Sequence, residues 1–224
     1  MPRIHFHQQL ADLKDRLLAM AALAQQAVES AVDAYTNSDL ELCHYVRENE
    51  TAINLAQREV DEMAYDLLAK EQPMAVDLRF ILAVIKINGD LERIGDQAVS
   101  IARRTEELIA QNRPELPADI TRMGSLAARM IRTAVLALLD GDAQIADNVI
   151  AMDDEVDDLN RESQASLIEC IQKSPDSASH ALLAIMVARS LERISDHATN
   201  IATDVIFWIR GADLRHQASL AEAE

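Results

Sequence analysis

A twelve-residue segment occurs twice in this chain, and the two copies lie 100 residues apart. The segments are LERIGDQAVSIA at 91–102 and LERISDHATNIA at 191–202, so the offset is 191 − 91 = 100. Eight of the twelve positions carry the same residue without a gap. Repetition over so long a distance is typical of two copies of one supersecondary unit rather than of a short-period solenoid. We therefore expect a tandem duplication.

Composition and spacing both predict helices. Hydrophobic residues make up 49% of the 224 residues but aromatic residues only 3%, and the chain has only 5 glycines and 5 prolines. Such a composition favours helix over sheet. From Phe6 to Ala34 and again from Leu42 to Leu67, apolar residues follow the alternating spacing of four and three that is typical of helices in a left-handed bundle. The chain is therefore predicted to be all-α.

Turn residues divide each copy into three helices. The first helix is expected to run to about Tyr35, the second to end near Glu71, and the third to span about 74–111. Ser38 or Asp39 is the expected cap of the second helix. In the second copy, breaks are expected at Gly141 and at 174–176. The prediction is two tandem three-helix bundles, residues 1–112 and 113–224, joined near 112–118, with six long helices in all.

The charge balance excludes some classes of partner. The chain carries 38 acidic and 21 basic residues, a formal charge of −17. Nucleic acid and anionic membrane surfaces would be repelled, whereas basic protein patches and divalent cations would be attracted. The N-terminal sequence has no signal-peptide pattern, and the apolar runs are short for a membrane span. We expect a cytoplasmic protein without membrane insertion, in which Cys43 and Cys170 are ordinary thiols.

Each copy carries the same acidic element on its third helix. Glu92 with Asp96, and Glu192 with Asp196, form a Glu-x-x-x-Asp pair. With about 3.6 residues per turn, each pair projects almost opposite to the apolar stripe of its own helix. The carboxylates are therefore expected to face outward, away from the bundle seam.

The second helix of each copy supplies further polar groups on its flank. These are Asp153 and Asp157 in the second copy and Glu50 and Asn54 in the first. Carboxylates from two adjacent helices would suit a hard cation such as Mg, Ca, Mn or Fe, which would also offset the repulsion within each pair. The alternative is a solvated acidic face without metal.

Two other patterns are weaker. Glu41 and His44 form a Glu-x-x-His string, as in di-iron carboxylate proteins, but the chain has no second string. His197 follows Asp196 directly and is a candidate outer ligand of a metal. The sequence contains no phosphate-binding loop, nucleophile elbow or His-Glu-x-x-His motif, so no enzyme is predicted.

The repeated segments resemble the signature of the PhoU family. The match lies in DLERIGD at 90–96 and in SLERISDH at 190–197, followed by Asn200-Ile201-Ala202. The opening His5-Phe6, the Asp77-Leu78-Arg79 segment and the two-copy plan agree, so the resemblance covers essentially the whole chain. It implies a fold of six helices in two similar halves, often dimeric, with multinuclear metal clusters on the acidic motifs.

The resemblance also implies site residues. Fe, Mn, Mg or Zn would be bound in the second half by Glu192, Asp196, Asp153 and Asp157, with Asn200 nearby, and in the first half by Glu92, Asp96 and Glu50. The first half departs from this pattern because Asn54, Gln97 and Ser100 stand where the second half has Asp157, His197 and Asn200. We expect the second half to bind metal more tightly.

The resemblance further implies a regulator of phosphate uptake and of the phosphate-starvation response. Such a protein acts as a brake between the ATPase subunit of a phosphate ABC transporter and a sensor histidine kinase. Two alternatives stay open. One is an oxygen-ligand metalloenzyme, a di-iron or manganese protein on a helical bundle, and the other is a helical adaptor without metal.

Overall fold

The computed structural model describes residues 2–111, 116 and 118–211. Within these residues the chain forms six long α-helices and one short 3-10 helix, and it contains no strand. The α-helices are α1 (Pro2–Asn37), α2 (Leu40–Glu71), α3 (Val76–Ala110), α4 (Ile120–Asp140), α5 (Ala143–Lys173) and α6 (Ala178–Arg210), with the 3-10 helix at Pro175–Ser177. The all-α prediction is confirmed, and the predicted helix ends agree to within a few residues. The predicted boundary at residues 112 and 113 lies outside the described residues.

Equivalent turns begin the second helix of each half. Asp39 is the N-cap of α2, and its side chain accepts hydrogen bonds from the backbone N–H groups of Glu41 and Leu42. Asp142 caps α5 in the same way. Gly141 ends α4 with φ of +63°, a left-handed conformation that glycine adopts without steric cost. Of the two cap candidates, Asp39 rather than Ser38 is correct.

The two halves pack through their first and third helices. Within each half the three helices contact one another, and between the halves α1 contacts α4 and α3 contacts α6. Within the described part of the chain, α2 and α5 do not contact each other. They therefore lie on the outer sides of the α3–α6 pair.

Helices α3 and α6 run antiparallel. Near one end of the pair, Arg79 Nε donates to the backbone oxygen of Trp208 at 3.2 Å. Near the other end, His180 Nε2 lies 3.1 Å from the backbone oxygen of Gln111. This register places the two Glu-x-x-x-Asp motifs beside each other at the middle of the pair.

The apolar stripes form the core. Leu91, Ile94, Ala98 and Ile101 of α3 are buried, as are their counterparts on α6. The acidic motifs lie outside these buried stripes, since Asp96 and Asp196 are exposed and Glu92 and Glu192 are half-buried. No helix in the described ranges has the length and hydrophobicity needed to cross a bilayer. Cys43 and Cys170 are both free thiols.

Candidate metal centre

Four carboxylates of the second half lie close together where α5 packs against α6. Burial, followed by the charges of Asp157 and Asp196, raises the pKa of Asp153. Burial, followed by the charges of Glu192 and Asp157, raises the pKa of Asp196. Asp153 and Glu192 are half-buried, whereas Asp157 and Asp196 are exposed. The structure thus brings all four predicted side chains into one region at the protein surface.

A smaller acidic group occupies the equivalent place in the first half. Burial is the main cause of the raised pKa of Glu92, and Asp96 is the next, with a smaller contribution from Glu50. Asn54, which stands where the second half has Asp157, is exposed. The first half therefore assembles three carboxylates where the second assembles four.

Asn200 and Ser100 occupy equivalent positions but differ in their contacts. Asn200 lies half-buried on α6, one turn after Asp196. Ser100 is already a hydrogen-bond partner, because Arg104 Nη1 donates to both its hydroxyl and its backbone oxygen. A bound metal would have to compete with Arg104 for the hydroxyl of Ser100.

The two acidic groups are linked across the halves by His197 and Asp90. Nδ1 of His197, on α6, lies 2.8 Å from Oδ1 of Asp90, on α3. The His197 side chain also acts on both groups, since it partly opposes the rise in the pKa of Glu92 and of Asp196 that burial chiefly causes. His197 therefore contacts Asp90 of the other half and is near enough to influence both Glu92 and Asp196 electrostatically.

The chemistry of the second-half group fits a metal ion. Asp153 of α5 and Thr199 of α6 lie against each other, since a side-chain hydrogen bond with Thr199 partly opposes the rise in the pKa of Asp153 that burial chiefly causes. Half-buried carboxylates that also repel their neighbours are costly to keep charged, and a cation would offset that cost. Oxygen-rich sites of this kind suit hard divalent ions.

The carboxylates do not already form a closed ligand shell. Within the described residues, no three His, Cys, Asp or Glu side chains are close enough to hold a metal ion as they stand. Carboxylates one helical turn apart also repel each other when no cation lies between them. Rotation of these side chains toward a shared cation would be needed to complete a site.

Asp90 and Thr199 are the members of this region that the sequence did not reveal. Asp90 stands directly before the first motif. Its partner, His197, belongs to the other half of the chain, and the spacing of residues along one helix cannot predict such a contact. Thr199 lies three residues after Asp196, on the same side of α6. This spacing of three residues from Asp196 could have identified Thr199 as a neighbour of the motif from the sequence alone.

No described feature supports the di-iron string. Glu41 and His44 are both exposed on α2.

A surface pocket of about 490 Å³ lies between the start of α1 and the α2–α3 turn, where Phe6, Glu71 and Met74 are among its lining residues. None of the carboxylates of the two acidic groups lines that pocket.

Comparison with known proteins identifies the family. The model of the PhoU domain matches the chain twice, at residues 17–105 and 120–205. A Pseudomonas aeruginosa protein named phosphate-specific transport system accessory protein PhoU homolog is 38% identical over 212 residues, which cover 94% of this chain and 88% of that protein. An Aquifex aeolicus protein of the same name is 33% identical over 211 residues, covering 94% of this chain and 95% of the relative.

Solved structures agree with the sequence comparison. The crystal structure of PhoU from Pseudomonas aeruginosa matches with a TM-score of 0.89 at 38% identity and covers 92% of this chain and 100% of that one. The regulatory protein PhoU from Streptococcus pneumoniae, at 24% identity and a TM-score of 0.84, shares the fold over 93% of this chain and 99% of its own. The duplicated acidic motif, the two three-helix halves and these matches show that the chain belongs to the PhoU family.

Proposed function

We propose that this chain is an accessory protein of a phosphate-specific transport system and restrains both phosphate uptake and the phosphate-starvation response. It would act as a metal-binding adaptor between the ATPase subunit of the transporter and a sensor histidine kinase. The names of its relatives support the transport role. The observation that carries the adaptor role is the pair of acidic groups set side by side on the outer surface of α3 and α6.

In this proposal the second-half carboxylates hold the metal. Asp153, Asp157, Glu192 and Asp196 would supply the oxygen ligands, with Asn200 beside them. Glu92, Asp96 and Glu50 would form a weaker first-half site. A bound Fe, Mn, Mg or Zn ion would neutralise carboxylates that otherwise repel each other, and so fix the positions of α5 and α6 relative to each other.

The proposed partners fit the charge of the surface. A chain with a formal charge of −17 attracts basic patches on other proteins, and such encounters weaken as salt screens exposed charges. We propose a cytoplasmic homodimer that contacts the transporter ATPase and the kinase in this way. Neither contact requires a catalytic group.

The alternative is a di-iron or manganese metalloenzyme. An oxygen-activating carboxylate site in a helical bundle is built from side chains that project into the bundle core. Here the apolar stripes fill the core and the acidic groups lie on the outer side of α3 and α6. This placement favours an adaptor over an enzyme.

A deletion strain carrying a phosphate-starvation reporter tests the proposal. Without this protein, the reporter should stay active in phosphate-rich medium, and the wild-type gene should silence it. The Asp153→Asn/Asp196→Asn variant should fail to silence it, whereas Asp158→Asn should succeed, because Asp158 pairs with Arg161 on the exposed side of α5. A reporter that is silent in the deletion strain would contradict the proposal.

A pull-down provides the second arm of the test. The transporter ATPase should be retained by the wild-type protein at low salt and released as the salt concentration rises. If neither the ATPase nor the kinase is retained at low salt, the adaptor role is wrong. Oxygen consumption or phosphatase turnover by the iron- or manganese-loaded protein would then support the metalloenzyme.

A further inference from the structure

The turn between α2 and α3 has a strained backbone. Gln72 and Ala75 have φ of +47° and +52°, values that residues other than glycine rarely adopt. In the part of the chain that the structure describes, three non-glycine residues have positive φ, and two of them lie in this turn. The equivalent connection between α5 and α6 is relaxed, since Ser174 and Ser177 both have negative φ. The strain is therefore a feature of the first half.

The strained turn presents apolar side chains to solvent. Met74, between the two strained residues, is 79% exposed, and Val76 at the start of α3 is 53% exposed. Backbone strain lowers stability, and it is commonly found where the chain binds a ligand or a partner. A methionine that is held in solvent contributes little to the core of its own chain. The turn therefore has the features of a docking element.

The pocket of about 490 Å³ lies beside this turn. Phe6, Pro73 and Met74 supply apolar groups to its wall, and Glu71 and Asp77 supply carboxylates. Both carboxylates are half-buried, and neither forms an ion pair with another described residue. The pocket thus combines an apolar wall with negative charge that the described residues leave unbalanced.

We propose that this end of the first half is the docking surface for a partner protein that carries an apolar cleft next to a Lys or Arg side chain. Met74 inserts into the cleft, and the basic side chain enters the pocket toward Glu71 and Asp77. A long basic side chain fits this pocket because its aliphatic stem packs on apolar groups while its charged end reaches a carboxylate. A second copy of this chain fits less well, since its formal charge is also −17.

The inference rests on the proposed function and assigns this surface to the ATPase subunit of the transporter. The names of the relatives connect such proteins to a transport system. Glu92 lies 16 residues after Val76 on α3, which corresponds to about 24 Å along the helix. The docking surface is therefore separate from the candidate metal centre.

Binding of the ATPase subunit to the full chain, measured by biolayer interferometry, tests the inference. Met74→Ser should weaken binding about 10-fold, because it removes an apolar anchor from the interface. Glu71→Gln/Asp77→Asn should weaken binding about 5- to 10-fold and reduce its sensitivity to salt, because the charges that face the basic side chain are lost. Met74 is largely exposed, so Met74→Ser should fold as the wild type does, and melting curves check both variants.

Two further variants are matched controls. Leu182 is 54% exposed at the start of α6, and the antiparallel register of α3 and α6 places it at the other end of the bundle, near Gln111. Leu182→Ser therefore controls for the loss of an exposed apolar side chain. Asp158→Asn controls for the loss of charge, since Asp158 pairs with Arg161 on α5. Both controls should bind the ATPase subunit with the affinity of the wild type.

The outcomes separate this inference from the proposed function. Equal affinity of the wild type and Met74→Ser would overturn the docking surface and leave the adaptor role intact. A loss of affinity in Leu182→Ser as large as that in Met74→Ser would also overturn it, because the contact would not be specific to this end. Unchanged affinity and salt sensitivity in Glu71→Gln/Asp77→Asn would overturn the role of the pocket. Wild-type protein that does not bind the ATPase subunit would contradict the proposed contact with the transporter as well.

Discussion

A Cβ atom added to Gly95 would lie 2.8 Å from Cδ1 of Ile53 and 3.3 Å from its Cγ2. Gly95 stands between Glu92 and Asp96 on α3, and Ile53 follows Glu50 by three residues on α2. The missing side chain lets the two helices approach closely at the first-half acidic group. In the second half, Ser195 takes the place of Gly95, and the smaller Val156 takes the place of Ile53.

Replacing Gly95 with alanine should destabilise the protein by about 1 kcal/mol. Alanine is the better helix former, but the clash with buried Ile53 outweighs that gain. Adding Ile53→Val, which removes Cδ1, should restore stability. Gly89→Ala is the control, since nothing lies within 4 Å of its added Cβ, and it should stabilise by about 0.5–1 kcal/mol. Urea unfolding measures all four proteins, and a Gly95→Ala variant as stable as Gly89→Ala would contradict the packing argument.

Removing charge from the second-half group should stabilise the metal-free protein. The variant Asp153→Asn/Asp196→Asn relieves repulsion among the carboxylates and should gain up to about 1 kcal/mol, which raises Tm by roughly 2–4 °C. With Mn²⁺ added, the wild type should become the more stable of the two proteins, because only the wild type gains stability from binding the ion. Thermal unfolding with a chelator and with Mn²⁺ compares the two proteins. A variant that is less stable in both conditions would show that the two aspartates are structural.

The stability gained in that variant should depend on pH. The pKa values of Asp153 and Asp196 are raised by burial first and by neighbouring carboxylates next. Between the ordinary and the raised pKa, the folded protein binds more protons than the unfolded chain, so its unfolding free energy falls as pH rises through this window. The advantage of Asp153→Asn/Asp196→Asn should be full at pH 7 and shrink as the pH is lowered toward the ordinary carboxyl pKa. Melting curves of both proteins in chelator across this pH range measure the difference in stability. A difference that does not change with pH would contradict repulsion between the carboxylates as its cause.

Much of the fold follows from local sequence signals. The 100-residue repeat indicated two equivalent halves, and Asp39 and Gly141 marked helix ends through side-chain and backbone preferences that act within a few residues. The flank positions of Asp153 and Asp157 followed from helical periodicity. The contact of His197 with Asp90 could not be predicted in this way, because it depends on the antiparallel register of α3 against α6. That register is set by packing between the halves, on which the periodicity of a single helix carries no information.

The two cysteines should differ in reactivity. Cys43 is fully buried, and burial, followed by the charge of Glu106, raises the pKa of its thiol to about 11. The thiolate is the reactive form, so a thiol reagent at pH 8 should modify half-buried Cys170 first and Cys43 only after unfolding. Mass spectrometry of the native and urea-unfolded protein identifies the modified residue. Rapid native labelling of Cys43 in a Cys170→Ser variant would contradict its burial.

The metal content of the purified protein tests the central claim most directly. Wild-type protein prepared without added metal is compared by inductively coupled plasma mass spectrometry with three double variants. Glu192→Ala/Asp196→Ala removes second-half ligands and Glu92→Ala/Asp96→Ala removes first-half ligands. Asp158→Ala/Glu169→Ala removes two exposed charges that pair with Arg161 and Lys173 on α5, outside both groups. We predict a stoichiometric Fe, Mn, Mg or Zn ion in the wild type and in the Asp158→Ala/Glu169→Ala control. The second-half variant should lose the tightly bound ion while its helicity stays unchanged. The first-half variant should lose less metal than the second-half variant. Equal metal content in the wild type and the Glu192→Ala/Asp196→Ala variant would contradict the account.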